Sequence, residues 1–430
     1  MYNIYIETYG CSANQNNSEI MAGLLARAGF NIVNNPEIAD VIIINTCIVK
    51  GLTLQRMLFR IKKLSKKFSR LIVAGCLPDV MADRIKELAN TAVIGSHNFK
   101  DITKAVKGIF EGKKIQIIDK NNEIKLCMPK ISKSKVIGIT QISEGCIGSC
   151  SYCAVKLAKG KLFSYPAEEI LKNVRSDLDS GCKEIWLTSQ NNAAYGLDSD
   201  EKLTELLEKI LALKGKFFLR LGMMNPNNVL QILPGLIEIF KNKKIYKFLH
   251  LPLQSGSDSV LKAMKREYKV KDWLKIVNKF KKEIPELTIS TDIICGFPTE
   301  TAIDFEKTLE LIMQVKPDIL NISKFSAMPG TEAAKLKQLS TQEIKKRSRI
   351  LSKLHNEIAL GNNKKWLGWQ GTCLVNGKGF QDTWLARNVF YKLIILKSED
   401  NLLGKTLNIK IADAKSNYLL GKIVPTKNNN

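Results

Sequence analysis

Histidine is scarce in this sequence, which has only His97, His250 and His355 in 430 residues. No apolar run is long enough to cross a bilayer, and the first residues lack the basic and apolar regions of a secretion signal. We therefore expect a cytoplasmic protein with no membrane partner. In such a compartment ten cysteines argue against a disulfide framework and favour metal or redox roles for any cluster of them.

Acidic residues are also scarce relative to basic ones. The chain has 41 Asp and Glu against 66 Lys and Arg, which gives a formal net charge of +25. This charge favours a polyanionic partner such as RNA or DNA, although an anionic membrane surface attracts it too. Any single run of lysines is more simply explained as a solvated face. The 45% hydrophobic and 25% charged residues indicate a folded protein, and the length suggests three domains.

The alternation of apolar and amphipathic stretches predicts an α/β protein. Residues 1–110 contain βαβ units with near-continuous apolar strands, which predict an N-terminal doubly wound parallel sheet. Residues 111–134 are polar and basic and are expected to form a linker. In residues 135–362, six βα repeats predict a full or partial barrel. Residues 363–425 are expected to form a small β-barrel from short apolar runs at 371–375, 389–391, 393–396 and 407–411.

Three cysteines lie close together directly after the first predicted barrel strand, in Glu144-Gly145-Cys146-Ile147-Gly148-Ser149-Cys150-Ser151-Tyr152-Cys153. Their Cys-x3-Cys-x2-Cys spacing can hold three irons of a 4Fe-4S cluster and leave the fourth iron open for an external ligand. Active sites of βα-barrels form at this carboxyl end of the strands. The less favoured alternatives are a zinc site with a borrowed fourth ligand and buried, unreactive cysteines.

A second set of cysteines is dispersed, because Cys11, Cys47 and Cys76 each follow a different predicted strand. Residues just beyond neighbouring parallel strands converge on one crevice, so these thiols can meet. Taken singly, each cysteine is more often a small buried hydrophobic residue, but three at equivalent places in successive βα units favour a joint role. The other four match neither set and are interpreted as structural: Cys127, Cys182, Cys295 and Cys373.

The compact motif, with Tyr152 before its third cysteine, resembles the signature of the radical S-adenosylmethionine superfamily. Both cysteine sets together resemble the methylthiotransferase family, whose members combine an N-terminal cluster domain, a radical domain and a C-terminal β-barrel called TRAM. The resemblance implies two 4Fe-4S clusters, one on the compact set and one on the dispersed set. Further stretches that agree with it lie in order along the chain, at 250–257, 264–268, 291–300 and 329–331.

The resemblance also implies a mechanism in two stages. One S-adenosylmethionine methylates sulfur attached to the N-terminal cluster. A second, bound to the open iron of the other cluster, is cleaved by one electron to a 5′-deoxyadenosyl radical, which activates carbon 2 of an adenine for transfer of the methylthio group. External electron and sulfur donors are implied as partners, and both clusters must face one cavity.

Three stretches resemble the archaeal and eukaryotic branch of the family, at 75–78, 187–196 and 220–226. That branch acts on N(6)-threonylcarbamoyladenosine next to the anticodon of tRNA, a partner that agrees with the net charge. The alternatives within the family are another tRNA adenosine or an aspartate of a ribosomal protein. The alternative of another class is a non-catalytic iron-sulfur protein that binds RNA, which the open iron of each three-cysteine cluster disfavours.

Further site residues are predicted in two regions. Tyr152 and the strand-end residues Ser189, Gln190, Gln254 and Ser255 are candidates to bind S-adenosylmethionine or the base, although such polar residues equally well cap barrel loops. In the last domain, basic residues beside aromatics suit phosphate contact and base stacking. The candidates for RNA binding there are Lys364, Lys365, Arg387 and Lys392, whereas Trp366 and Trp384 are interpreted as barrel core.

The sequence departs from the family pattern at Asn17, Lys159 and Met328, where members often carry Asp, Arg and Arg. None of these departures removes a predicted cluster ligand. Lysine lacks the bidentate fork of arginine and methionine lacks its charge, so individual substrate or phosphate contacts are put in doubt.

Overall fold

The first part of the chain is an open sheet of six parallel strands with helices on both faces. A computed structural model describes residues 1–49, 51–88 and 91–425. The strands are β1 (Asn3–Thr8), β2 (Asn31–Val33), β3 (Val41–Thr46), β4 (Leu71–Gly75), β5 (Ala92–Gly95) and β6 (Gln116–Ile117). The helices are α1 (Ser12–Arg27), α2 (Gly51–Lys67), α3 (Pro78–Leu88) and α4 (Ile102–Phe110). The order β2-β1-β3-β4-β5-β6 confirms the predicted doubly wound sheet.

The two central strands explain why helices cover both faces of this sheet. Ile42 and Ile44 of β3 pack with α2 and α3, whereas Val41 and Ile43 pack with α1 and α4. All residues of β3 and β4 are buried. Because successive side chains point to opposite faces of a strand, a continuously apolar strand must be covered on both sides.

The central domain is a partial barrel of six parallel strands that follow one another in chain order, as predicted. Its strands are β7 (Ile137–Gln141), β10 (Glu184–Thr188), β11 (Phe218–Leu221), β12 (Phe248–His250), β13 (Thr288–Cys295) and β14 (Ile319–Lys324). Two three-stranded sheets, β7-β10-β11 and β12-β13-β14, meet through a parallel bridge between Leu219 and Ile245. Two short strands, β8 (Ser143–Glu144) and β9 (Phe163–Ser164), pair antiparallel around the loop that carries the compact cysteine motif.

Among the residues that the structure describes, eight helices follow the barrel strands, and most of them cover the outside of the barrel. They are α5 (Val155–Lys159), α6 (Ala167–Asp179), α7 (Leu203–Leu211), α8 (Pro226–Lys241), α9 (Asp258–Ala263), α10 (Val270–Glu283), α11 (Ala302–Val315) and α12 (Thr341–Lys364). Across the described residues, no helix combines the length and the apolar character needed to cross a bilayer.

The segment 111–134, expected as a linker, is largely irregular but packed. Strand β6 lies within it and extends the N-terminal sheet beyond residue 110. Further on, the Ile131 amide donates to the Glu19 carbonyl at 2.9 Å, and Lys130 forms an ion pair with Asp177 of α6. The segment therefore contacts both domains that it connects.

The last domain is a closed five-stranded barrel of β15 (Gln370–Lys378), β16 (Thr383–Arg387), β17 (Leu393–Lys397), β18 (Thr406–Ala414) and β19 (Leu419–Ile423). The small barrel is confirmed, but the strand predicted at 389–391 is wrong and β16 and β19 were missed. Of the apolar side chains in this segment, Tyr391 packs on the central domain, whereas Phe390 packs on Trp366 of the barrel core. The backbone of the segment contacts the central domain as well. The Val389 carbonyl accepts from the Lys247 amide at 2.8 Å, and the Phe390 carbonyl accepts from Thr288 Oγ1 at 2.6 Å.

The C-terminal barrel docks on the amino ends of the central strands. Tyr391 packs against Tyr246 and Phe248, and Asn376 Nδ2 donates to Glu184 Oε2 at 2.7 Å, where β10 begins. Lys392 pairs with Asp318 immediately before β14. The loop with the compact motif lies at the opposite, carboxyl end.

Candidate functional site: two cysteine sets at one domain junction

The dispersed cysteines follow three neighbouring strands of the N-terminal sheet. Cys11 caps the start of α1 after β1, Cys47 follows β3 and Cys76 follows β4, and the sheet order places these strands side by side. Cys11 is exposed, whereas Cys47 and Cys76 are buried. Burial, with smaller contributions from the charges of Cys47 and Cys11, raises the pKa of Cys76 to about 12. The structure thus brings the three predicted thiols together at one sheet edge.

Gly10 allows the first two of these loops to touch. Its φ of +109° is one that L side chains rarely adopt, and a Cβ there would lie 2.9 Å from Cys47 Sγ. A side chain at this position would fill the space beside the sulfur.

Asn14 connects the three loops, a role that the sequence did not predict. Its Nδ2 donates to the Tyr9 carbonyl at 2.8 Å and to the Thr46 carbonyl at 2.7 Å, and its Oδ1 lies 4.0 Å from Cys76 Sγ. One buried amide therefore contacts all three cysteine-bearing loops. A polar residue in the first turn of a helix, three positions after a predicted ligand, was the available signal.

The compact motif forms a loop whose start is clamped by glycine. Gly145 has φ +73°, and a Cβ there would lie 1.8 Å from the Lys161 carbonyl oxygen. The Cys146 amide donates to the Gly160 carbonyl at 3.2 Å. Farther along, a Cβ at Gly148 would lie 3.6 Å from Cys146 Sγ and 3.8 Å from Cys150 Sγ. Two of the three thiols thus flank the same glycine.

Arg266 holds this loop from the far side of the barrel, a role that the sequence did not predict. Its Nη1 donates to Cys150 Sγ at 3.1 Å, its Nη2 to Asn225 Oδ1 at 2.7 Å and its Nε to Tyr268 Oη at 3.1 Å. Burial alone would lower the pKa of Arg266, but its neighbours raise it, so the guanidinium stays charged. A permanent positive charge therefore contacts the middle cysteine of the motif.

A buried ion cluster lies between the two cysteine sets. Glu144, two residues before Cys146, pairs with Lys125 at 2.7 Å and with Lys159 at 3.1 Å, and all three side chains are at most 3% exposed. Burial alone would raise the pKa of Glu144, but the two lysines hold it well below its usual range. The charge of Lys159 also lowers the pKa of Cys76, against the larger effect of burial. Two lysines therefore contact one carboxylate at this junction, and Asp79 is a second carboxyl group close enough to raise the pKa of Lys159.

Direct contacts join the two domains beside the cysteines. Ser12 Oγ, next to Cys11, lies 2.9 Å from Thr188 Oγ1 at the carboxyl end of β10. Ala158, in the helix after the compact motif, packs in the same apolar cluster as Cys76. Both cysteine sets therefore lie at one junction between the N-terminal sheet and the central barrel.

The predicted cofactor residues occupy different environments. Gln190 Oε1 is buried and has no hydrogen-bond partner among the described residues, so it is available to a bound group. Ser189 Oγ accepts from the Asn191 amide at 3.2 Å and Ser255 Oγ from the Ser257 amide at 3.3 Å, which are loop-capping bonds. Gln254 has φ +74° and its backbone is paired with β13. Tyr152 packs edge-on against Phe297, with 6.5 Å between ring centroids.

The predicted RNA-binding residues also differ from one another. Lys364 and Lys365 are exposed. Arg387 is partly buried and stacks over the Tyr391 ring, 4.3 Å from its centroid. Lys392 is 6% exposed and pairs with Asp318 at 2.6 Å, so its ammonium is engaged in the domain interface. Trp366 and Trp384 lie in the barrel core, as expected.

The residues at the junction fit iron-sulfur clusters. Among the described side chains, no three His, Cys, Asp or Glu residues are placed to bind a single metal ion. A 4Fe-4S cluster makes a different demand, because each cysteine binds a different iron. Glycines at positions 10 and 148 leave space beside the sulfurs, and the unpaired Gln190 oxygen supplies a polar contact.

Comparison with known families defines the class of protein. Residues 140–312 match the radical SAM superfamily, and residues 372–424 match the TRAM domain. Residues 3–95 match the uncharacterized protein family UPF0004. A solved structure of the radical S-adenosylmethionine methyltransferase TsrM from Kitasatospora setae, with cobalamin and a [4Fe-4S] cluster bound, has a similar fold. The two structures align over 77% of each chain, with a TM-score of 0.58 and 12% sequence identity. The central barrel is thus a radical S-adenosylmethionine domain.

Full-length relatives define the family more narrowly. A probable threonylcarbamoyladenosine tRNA methylthiotransferase of Pyrococcus horikoshii is 41% identical over 99% of this chain and 100% of its own length. The threonylcarbamoyladenosine tRNA methylthiotransferase of Homo sapiens is 35% identical over 98% of this chain and 74% of its own length. The chain belongs to the threonylcarbamoyladenosine tRNA methylthiotransferase family, which confirms the resemblance inferred from the motifs.

Proposed function

We propose that this chain is a radical S-adenosylmethionine enzyme that converts N(6)-threonylcarbamoyladenosine next to the anticodon of tRNA to its 2-methylthio derivative. The observation that carries the proposal is that two three-cysteine sets meet at one domain junction. Each set lies at the carboxyl end of a parallel sheet, the end at which α/β proteins bind ligands. The names of these relatives support the choice of substrate.

Each cysteine set is proposed to hold one 4Fe-4S cluster. Cys146, Cys150 and Cys153 would bind the first, and the second would be bound by Cys11, Cys47 and Cys76. Three cysteines leave one iron of each cluster for a ligand that is not a side chain of the set. When bound, the clusters and S-adenosylmethionine would supply the one-electron chemistry, the iron to which sulfur attaches and the methyl group.

The chain's own residues orient these groups and balance their charge. Arg266 contacts Cys150 and fixes the position of the compact loop against Asn225. Lys159 places a buried positive charge between the two sets, which favours the thiolate form of nearby cysteines. Asn14 keeps the three dispersed loops in register. Gln190 Oε1 is the buried acceptor proposed to bind S-adenosylmethionine or the base.

The C-terminal barrel is proposed to bind the phosphates of tRNA through Lys364, Lys365 and Arg387. Lys392 stabilises the interface with the central domain instead, because its ammonium is paired with Asp318. An electron donor and a sulfur donor outside this chain are required by the chemistry. We place the reaction in the cytoplasm, together with its tRNA substrate.

The decisive test is a reaction under anaerobic conditions. The reconstituted protein is mixed with S-adenosylmethionine, a reductant and threonylcarbamoylated tRNA, and the digested nucleosides are analysed by mass spectrometry. A methylthio gain in mass on the threonylcarbamoyladenosine is expected.

Two controls separate the parts of this proposal. A tRNA that lacks the threonylcarbamoyl group, and a ribosomal protein fraction, are tested in parallel as alternative substrates. Formation of 5′-deoxyadenosine with no methylthio product on threonylcarbamoylated tRNA would overturn the substrate but keep the radical chemistry. Absence of 5′-deoxyadenosine from fully reconstituted protein would overturn both.

A further inference from the structure

Helix α2, which begins four residues after Cys47, has an unusual charge. Between Gly51 and Lys67 it contains six Arg and Lys residues and no Asp or Glu. Its apolar residues Leu54, Leu58 and Ile61 are buried in the core of the N-terminal sheet. The opposite face is therefore turned to solvent, and it exposes a set of basic residues: Arg56, Lys62, Lys63, Lys66 and Lys67.

Most of these charges are not neutralised. Arg60 pairs with Glu7 at 2.8 Å and Lys67 pairs with Glu37 at 2.6 Å. Within the described ranges, Arg56 and the three lysines at positions 62, 63 and 66 form no ion pair. Like charges four residues apart on a helix repel, so this arrangement weakens the helix in the absence of a partner. A polyanion on this face would remove the repulsion.

An exposed aromatic ring lies in the middle of the charged face. Phe59 is 71% exposed. It is three residues after Arg56 and four before Lys63, so the three side chains form one stripe, which Lys66 extends to a length of about 15 Å. Proteins bind unpaired nucleotides through a row of cations that follows the nucleic-acid backbone and an aromatic ring beside it. The ring stacks on a base while the cations contact phosphates.

Helix α2 begins beside the cysteine sets, four residues after Cys47, and its stripe extends away from them. A Cβ at Gly51 would lie 2.1 Å from Ser326 Oγ, so the helix begins in contact with the central domain. The C-terminal barrel, in contrast, contacts the amino ends of the central strands. A tRNA held only by that barrel would have no anchor at the end of the molecule where the cysteines lie.

We propose that the exposed face of α2 is a second tRNA-binding surface, in which Arg56, Lys62, Lys63 and Lys66 contact phosphates and Phe59 stacks on an unpaired base. The inference rests on the proposed tRNA substrate and adds where that substrate is held. An acidic protein such as an electron donor is the competing occupant of a basic face. The exposed ring of Phe59 favours RNA, because an unpaired base can stack on it.

Helix α10 provides a matched control. It also exposes four lysines, at positions 271, 275, 279 and 282, but it contains Asp272 and Glu283, and its rings Trp273 and Phe280 are buried. Replacing these four lysines by Gln removes the same charge as replacing the four cations of α2. Any difference in tRNA affinity between the two variants is therefore due to the position of the replaced residues and not to the total charge of the protein.

The experiment measures binding of threonylcarbamoylated tRNA to the reconstituted protein at several salt concentrations. The combined variant Arg56→Gln, Lys62→Gln, Lys63→Gln and Lys66→Gln is expected to bind about tenfold or more weakly and to show a shallower salt dependence, by about 3 in the logarithmic slope. Phe59→Ala is expected to bind about tenfold more weakly with an unchanged slope, because stacking releases no counterions. The combined α10 variant is expected to change the affinity less than threefold.

The outcomes separate this inference from the proposed function. If wild-type protein does not bind tRNA, the proposed function fails, and with it this inference. If wild-type binds and the combined α2 variant binds equally well, or no worse than the α10 variant, only the second surface is wrong. A variant that binds tRNA normally but loses 5′-deoxyadenosine formation with a protein reductant, and not with dithionite, would assign the face to an electron donor and overturn the RNA surface.

Discussion

The two cysteine sets reach the same junction by different routes. The compact set lies within eight residues of one loop, and backbone spacing alone keeps its thiols near one another. The dispersed set spans 66 positions and comes together only because β1, β3 and β4 are neighbours in a sheet. The first is a property of a segment, whereas the second is a property of the folded domain. Substitutions that loosen the N-terminal fold should therefore affect the dispersed set first.

The largest expected effects come from removing one ligand of each set. Cys150→Ala is expected to reduce 5′-deoxyadenosine formation to background, because the open iron that binds S-adenosylmethionine is lost. Cys76→Ala is expected to keep 5′-deoxyadenosine formation but to abolish the methylthio product. Both products are measured by mass spectrometry in the same reactions. Methylthio product from Cys76→Ala would contradict the assignment of the dispersed set.

Lys159 lies close to both cysteine sets, because it pairs with Glu144 and its charge acts on Cys76. Its loss should therefore affect both sets to the same extent. Lys159→Met breaks a buried ion cluster and is expected to lower the free energy of unfolding by about 3 kcal/mol. Iron bound by both sets should fall together. Lys159→Arg keeps the charge and is expected to restore stability and iron. Urea denaturation and iron analysis test this, and loss of iron from one set alone would contradict the shared role.

Arg266 should act on the compact set alone. Arg266→Met removes a charge-assisted hydrogen bond to Cys150 of about 1.5–3 kcal/mol, so 5′-deoxyadenosine formation is expected to fall roughly 10- to 100-fold. Arg266→Lys should not rescue it, because one ammonium cannot replace the fork that contacts Cys150 and Asn225 together. Iron on the dispersed set is the internal control. Its loss would indicate general unfolding.

Asn14 should act on the dispersed set alone. Asn14→Ala removes the side-chain donor of the Tyr9 and Thr46 carbonyls, of which Thr46 keeps only the Cys76 amide at 3.2 Å, and is expected to cost about 1–3 kcal/mol of stability. About half of the iron should be lost while 5′-deoxyadenosine formation persists. Asn31→Ala, at an exposed position of the same domain, serves as the control. If Asn14→Ala and Asn31→Ala lost the same amount of iron, the proposed role of Asn14 at the dispersed set would be wrong.

The smallest effect is expected at a cysteine outside both sets. Cys182 lies in the apolar core of the central domain. Cys182→Ala is expected to lower the free energy of unfolding by about 1 kcal/mol through lost packing. Iron content and product formation should not change. Thermal unfolding and iron analysis check this, and a fall in iron would show that the assignment of ligands is incomplete.

The sequence was sufficient to predict the features that depend on local pattern. Strands buried on both faces are continuously apolar, which made them visible in the sequence. The position of Cys11, Cys47 and Cys76 just after three predicted strands indicated that they converge. Contacts made by distant segments were missed. Arg266 and Cys150 are 116 positions apart, and nothing in the flanking residues of either indicates the other. Residues 389–391 were mistaken for a strand because an apolar run at a domain interface has the same composition as one in a barrel.

The central claim is that the two sets hold clusters that face each other across one junction. Electron paramagnetic resonance of the reduced protein tests it most directly, with two variants that each retain a single set. The account predicts a wild-type spectrum with magnetic coupling that the sum of the two variant spectra does not reproduce, and a response to S-adenosylmethionine only where Cys146, Cys150 and Cys153 are present. A wild-type spectrum equal to the simple sum, or iron bound by only one set, would contradict the account.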